Sequence, residues 1–166
     1  MTFYLRTAAP SDLPAVQQLL AETWHATYDR LYGVEKVTEL TARWHSQETL
    51  RKRLTLPHSE FVLADDGSNI LGMAFARMEK KDVRLHQLYV SPRHQKRGIG
   101  RALLAEVMDC FPEAETISLE VDENNVQALT FYQRNGFSEC GRTSDCGGNG
   151  DELPALILSR SLRPDS

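Results

Sequence analysis

Hydrophobic positions along this chain switch repeatedly between a period of two and a period near three and a half, which predicts strands interleaved with helices. FYLRTA (residues 3–8) alternates as a strand does. Leu13, Val16, Leu19, Leu20 and Trp24 then fall at helical spacing, with Ser11 placed to cap that helix. Residues 26–56 are mixed, with aromatics at Tyr28, Tyr32 and Trp44, a glycine at Gly33, and helical spacing through Leu40, Trp44, Leu50 and Leu54. Two helical pieces around a loop are expected there. FVLADDGSNILGMAFARM (61–78) predicts a hairpin turning at residues 65–69, and VRLHQLYV (83–90) a long strand after a turn at Asp82. Ile99, Leu103, Val107 and Met108 mark a helix closed by Pro112. TISLEV (116–121) is a strand, and NVQALTFYQRNG (125–136) a helix capped from Asn124 or Asn125 and stopped by Gly136. FSECGRT (137–143) and LPALILSR (153–160) finish as strands around the glycine-rich residues 147–150.

This order implies an α/β fold with a mostly antiparallel sheet and one parallel pair spanning residues 84–121. A chain of 166 residues supports one domain, expected over residues 1–166. With 41% hydrophobic and 25% charged residues the balance is that of a soluble globular protein, and no apolar run approaches the ~18 residues that span a bilayer. The N-terminus lacks the apolar core of a signal peptide, so a cytoplasmic protein without a membrane partner is expected. Cys110, Cys140 and Cys146 are odd in number and lack C-x-x-C spacing, which predicts neither a disulfide framework nor a metal site. A net charge of −4 argues against a nucleic-acid partner, although the basic stretch from Arg93 to Arg101 needs another explanation.

That explanation lies at the junction QKRGIG, residues 95–100, between a predicted strand and a predicted helix. A helix start presents backbone N–H groups without partners and about half a positive charge. Glycines at Gly98 and Gly100 clear the approach to the backbone, and Lys96, Arg97 and Arg101 add charge-assisted contacts. The stretch suits a pyrophosphate, yet neither G-x-G-x-x-G nor G-x-x-x-x-G-K-[ST] is present.

The context LYVSPRHQKRGIGRALL resembles the acetyl-CoA motif of the GNAT family of N-acetyltransferases, Q/R-x-x-G-x-G/A after a strand, with Gln95, Gly98 and Gly100 in its defining places. LEVDENNVQALTFYQRNGF is similar to a second block of that family, in the form found in the ribosomal-protein N-terminal alanine acetyltransferases, and matches it at Leu119, Glu120, Val121, Asn125, Ala128, Tyr132, Gly136 and Phe137. YLRTAAPSDLPAV looks like the family's first strand and helix. The resemblance implies the GNAT fold, a central sheet of about seven strands splayed at its middle and flanked by about four helices. It further implies that acetyl-CoA lies along the splayed strand, against Leu88, Tyr89 and Val90, with its pyrophosphate over Gln95, Lys96, Arg97, Gly98, Ile99, Gly100 and Arg101.

Acetylating an amine needs a neutral nitrogen, and an alkylamine of pKa ~10.4 is neutral about once in a thousand molecules near pH 7.4. By resemblance, Tyr132 is the acid that protonates the departing thiolate and also touches the cofactor, while Glu120 and His86 are alternative bases. Side chains at 84, 86, 88 and 90 of a regular strand share one face, so His86 looks into the cleft only if that face does. Glu120 on the next strand would then raise the histidine's pKa. Asn125 is expected to hold the cofactor or cleft through its amide, or simply to cap its helix. Trp24, His25, Tyr28 and Tyr32 are the candidates for the wall of an acceptor pocket, as cation–π or stacking surfaces, and residues 140–151 for a segment that closes over it.

Two functions follow. One is an N-acetyltransferase acting on a primary amine of a small molecule or peptide by direct attack; the other is a non-catalytic acyl-CoA-binding module. Both a candidate base and the tyrosine are present, which favours the enzyme. Homodimers are common in the family, but no feature of this sequence decides the oligomeric state.

Overall fold

In the computed structural model, which describes residues 2–143 and 154–163, the predicted strands join in one sheet. They are β1 (Tyr4–Thr7), β2 (Ser59–Asp65), β3 (Ile70–Glu79), β4 (Asp82–Val90), β5 (Thr116–Asp122), β6 (Ser138–Thr143) and β7 (Ala155–Ser161), in the order β1-β2-β3-β4-β5-β7-β6. Every neighbouring pair is antiparallel except β4 with β5. That parallel pair is the expected strand-helix-strand unit, and its crossover is α4 (Ile99–Asp109). Residues 144–153, which include the glycine-rich stretch and most of the expected closing segment, lie outside the described residues.

Among the described residues five helices cover the sheet, against the about four that the resemblance implies: α1 (Leu13–Tyr32), α2 (Val34–Trp44), α3 (Gln47–Arg53), α4 and α5 (Val126–Arg134). The difference arises in the mixed region, where α1 runs 20 residues, past Trp24, until Gly33 stops it at φ +86°. Ser11 is not the cap of α1, because it falls inside a short 3₁₀ turn. Asp12 instead accepts from the Ala9 N–H at 2.8 Å and pairs with Arg6 at 2.8 Å, which also binds Asp65 at 2.9 Å, tying the helix start to β1 and β2. Asp82 opens β4, and the turn before it is Lys80 and Lys81.

The strands alternate their side chains between two cores. Leu13, Val16, Leu20 and Leu50 of α1 and α3 pack on Phe61, Leu63, Met73 and Phe75. On the other face Ile99, Leu103, Leu104 and Val107 of α4, with Tyr132 of α5, pack on Val62, Ala74, Leu85 and Leu119. Gly72 sets how closely α4 approaches: a Cβ there would lie 2.9 Å from the Tyr89 carbonyl oxygen and 3.1 Å from a Leu103 methyl. The Gly72→Ala variant is therefore expected to lose roughly 1–3 kcal/mol of stability by overpacking. Urea unfolding checks this, and an unchanged midpoint would show that the α4 contact yields freely.

Candidate active site

Pairing between β4 and β5 covers only Asp82 with Thr116, Val83 with Ile117 and Arg84 with Ser118. Beyond that point β4 keeps β3 on one side and, among the described residues, has no strand on the other, while β5 remains paired with β7 along its length. Residues 85–90 therefore present backbone polar groups to a gap, and groups in such a position need a partner from water or ligand. The gap belongs to a cavity of about 1340 Å³, larger than the roughly 300–1,000 Å³ of an ordinary small-ligand pocket. It has room for a long cofactor and a second substrate.

At one end the cavity reaches the start of α4. The first helical bond of α4 runs from the Ala102 N–H to the Gly98 carbonyl at 3.0 Å, so the amides of Ile99, Gly100 and Arg101 precede it. Gly98 is left-handed at φ +82°, with nothing within 4 Å of where a Cβ would sit, and a Cβ on Gly100 would touch the Phe131 ring at 3.4 Å. Gln95 holds the loop in place: its amide donates to the Val90 carbonyl at 3.2 Å, and its oxygen accepts from Gln127 of α5 at 3.0 Å. Lys96 (φ +64°) and Arg101 line the cavity as exposed cations, whereas Arg97 is exposed and outside the lining. A narrow glycine-lined approach, fixed amides and flexible cations fit a pyrophosphate.

The expected alternation along β4 does not hold. A bulge between β3 and β4 pairs Phe75 with Gln87 and Ala76 with Leu85, leaving His86 without a register partner. The extra residue inverts the phase. Leu85, Leu88 and Val90 pack under α4 and α5, while His86 stacks near Phe75 at 5.9 Å, Gln87 bonds Arg53 of α3, and Tyr89 joins the cores of α1 and α2. His86 and Leu88 thus occupy opposite faces. Glu120 lies on the His86 face, since its neighbours Leu119 and Val121 pack under α4, and it pairs with Arg84 at 3.7 Å.

Tyr132 flanks the gap from the α5 side. It is buried between Phe131 (5.2 Å) and Phe137 (5.5 Å), and its hydroxyl has no hydrogen-bond partner among the described residues. Burial, with Tyr89 nearby, raises its pKa well above that of a free phenol, so it stays protonated. His86 moves opposite to the expectation. Crowding in the cleft, and the cations Arg53 and Arg84, hold its pKa below the usual imidazole value, and the carboxylates of Glu79 and Glu120 only partly offset them. Its ring is neutral at pH 7, although solvent reaches it.

The opposite end of the cavity is aromatic. Trp24 and Tyr28 line it with ring centroids 4.5 Å apart, and Trp24 donates to the Tyr89 hydroxyl at 3.1 Å. His25 and Tyr32 do not line it: His25 pairs with Asp29 at 2.7 Å, and the Tyr32 hydroxyl bonds Asp122. Asn125 caps α5, accepting from the Ala128 N–H at 3.2 Å, and its amide donates to the Tyr28 hydroxyl at 3.3 Å. Sequence reading missed Trp44 and His45 as cavity residues, and Arg53. The last sits in QETLRKR, where three cations at a helix end look solvated, and no local signal distinguishes the one turned inward.

A family model described as an acetyltransferase (GNAT) domain matches residues 28–150. The chain belongs to that family. The class of reaction is that of the GNAT acetyltransferases, enzymes that use acetyl-CoA. Over 94 residues the chain is 35% identical to N-alpha-acetyltransferase RimI of Mycobacterium tuberculosis, an alignment covering 54% of this chain and 59% of that protein. It is 29% identical over 159 residues to the peptidyl-lysine N-acetyltransferase YiaC of Escherichia coli, covering 93% and 94%. The fold superposes on the PaiA N-acetyltransferase of Thermoplasma acidophilum, solved with coenzyme A, at a TM-score of 0.85 and 22% identity over 97% of this chain and 99% of that one. Among the described residues no helix of this GNAT domain is long and apolar enough to cross a membrane.

One cleft residue ties the site to stability. His45 is 3% exposed, and burial, with Arg53 nearby, lowers its pKa to about 3. Between that value and ~6.5 the unfolded chain binds a proton that the folded chain refuses, so this residue makes stability rise with pH, by at most about 1.4 kcal/mol per unit. Below pH 6.5, wild type is expected to lose melting temperature faster than His45→Gln. A difference between the two that stays constant from pH 7.5 to 4.5 would contradict this burial.

Proposed function

We propose that this protein transfers acetyl from acetyl-CoA to a primary amine of a small molecule or peptide, by direct attack in a ternary complex within a single domain, in the cytoplasm. The observation that supports this most is the continuity of one cavity from the unpaired edge of β4 to the free amides of α4, with Tyr132 on one side of the gap and Glu120 and His86 on the other. When bound, acetyl-CoA supplies a thioester whose C–S bond breaks as the C–N bond to the acceptor forms.

The residues then have separate tasks. Leu88, Tyr89 and Val90 offer backbone groups along the pantetheine path, and the amides of Ile99, Gly100 and Arg101, with Lys96, hold the pyrophosphate. On the acceptor side Glu120 and the neutral His86 form a basic pair that takes the ammonium proton, directly or through water. Tyr132, kept protonated by burial, donates its phenolic proton to the departing sulfur. Arg97 contributes charge to the loop from outside the cavity, and the basic stretch serves the cofactor rather than a nucleic acid. Peptide amines are supported as acceptors by likeness to RimI and YiaC, whose names give them an N-terminal amine and a peptidyl lysine.

Thiol release from acetyl-CoA tests the reading directly. Tyr132→Phe is expected to lower turnover by about 10²-fold or more while cofactor affinity stays within a few-fold; unchanged turnover would remove Tyr132 as the acid. Gly100→Glu is expected to abolish acetyl-CoA binding in calorimetry, because it sets a carboxylate at the pyrophosphate site. Undiminished binding would displace the cofactor from the start of α4.

A further inference from the structure

The aromatic end of the cavity holds polar groups that no described residue satisfies. Arg53, partly buried, bonds the Gln87 side-chain oxygen and lies 5.4 Å over the Phe75 ring. Among the described residues no carboxylate faces it. Arg84 and Arg6 are treated differently, with Glu120 at 3.7 Å for the one and two aspartates for the other. Arg53 also lies close enough to both His45 and His86 for its charge to act on each.

Two further nitrogens of cavity residues, Nε1 of Trp44 and Nδ1 of His45, are buried without a hydrogen-bond partner among the described residues, and His45 is near enough for the charge of Arg53 to act on it. Trp24 joins the group, with its ring 5.3 Å from Trp44 and 5.8 Å from His45. All of these residues line the cavity. An indole N–H and a guanidinium only donate, while the neutral imidazole nitrogen takes either role. Each buried donor left unmade costs the desolvation of that group, and a cation away from water costs more. An arrangement of unmet donors around one cation calls for oxygens that carry negative charge.

We propose that the acceptor amine carries a carboxylate, which pairs with Arg53 and is flanked by Trp44 and His45, while its nitrogen faces His86 and Glu120. Phe75 sets the spacing, since it carries Arg53 on its face and has the His86 ring 5.9 Å away. The inference rests on the acetyl-transfer reading and narrows it to amino acids and peptides with a free acid near the amine. A polyamine brings only positive charge to Arg53 and leaves the donors unmet.

The experiment measures thiol release from acetyl-CoA with the full chain and matched pairs: amino acids, γ-aminobutyrate and dipeptides as free acids, each beside its amide, with spermidine as the third class. Free acids are expected to exceed their amides in kcat/KM by at least about 30-fold, and Arg53→Met to bring that ratio within about threefold, with Arg53→Lys between. Arg53→Met is also expected to melt at or above wild type, because it removes a cation without a counterion. Amides that match the free acids, a ratio unmoved in Arg53→Met, or a large fall in its melting temperature would each overturn the inference. Release with spermidine but not with free acids would overturn it while leaving acetyl transfer intact. If no amine releases thiol, acetyl transfer itself fails, and quenching of Trp24 and Trp44 fluorescence decides the carboxylate question. Free acids that bind where their amides do not support it, and equal binding or none overturns it.

Discussion

Everything the site does depends on hydrogen bonds that β4 and β5 do not make. Three residue pairs hold the strands parallel at one end, and past Arg84 and Ser118 they separate. A sheet interior leaves no room for a ligand, and a sheet edge gives it no walls. A gap inside the sheet gives both, with backbone groups that need a partner and side chains on either side. The strands can separate because each keeps its other neighbour, β3 for β4 and β7 for β5, so the sheet loses one ladder without losing its cores.

The gap joins two faces that are otherwise sealed from one another. Beneath α4 and α5 lie the glycine-lined amides and Tyr132, and beneath α1 to α3 lie the aromatic wall, Glu120 and His86. A single bulged residue in β4 assigns the strand's side chains to these two sides. Without it, His86 would share a face with Leu88 and Val90, and the candidate base would lie on the acid's side of the sheet. With it, the proposed proton donor and proton acceptor flank the gap from opposite directions, which suits a reaction that takes a proton from the nucleophile and gives one to the leaving group.

The acceptor end shows the usual tension between stability and binding. A buried imidazole and indole nitrogen without a hydrogen-bond partner among the described residues, beside a guanidinium that has Gln87 but no carboxylate there, are unfavourable in a resting fold. Arg6 is satisfied closely, where it, Asp12 and Asp65 lock β1 to β2 and to the start of α1, whereas Nε of Arg77 on β3 is also buried without a partner among the described residues. At the cavity end these groups are the ones that the proposed acceptor would meet.

Much of this was legible along the chain. The seven strands, the α4 crossover, the α5 cap at Asn125 and its stop at Gly136 follow from periodicity and local chemistry, because each depends on residues a few positions apart. The glycine-bearing turn at the start of α4 was legible for the same reason, and Gln95, Gly98 and Gly100 stand out within six residues. The bulge at His86, the turning of His25 and Tyr32 away from the cavity, the placing of Arg53 beside Phe75 and the lowered pKa of His86 were not. Each depends on which element lies across from which, and on how much water and counter-charge that packing leaves behind. The sequence by itself determined the elements and the loop chemistry, which are local. Only the tertiary structure decided which face each side chain serves, because pairing register and burial are set between residues far apart in the chain.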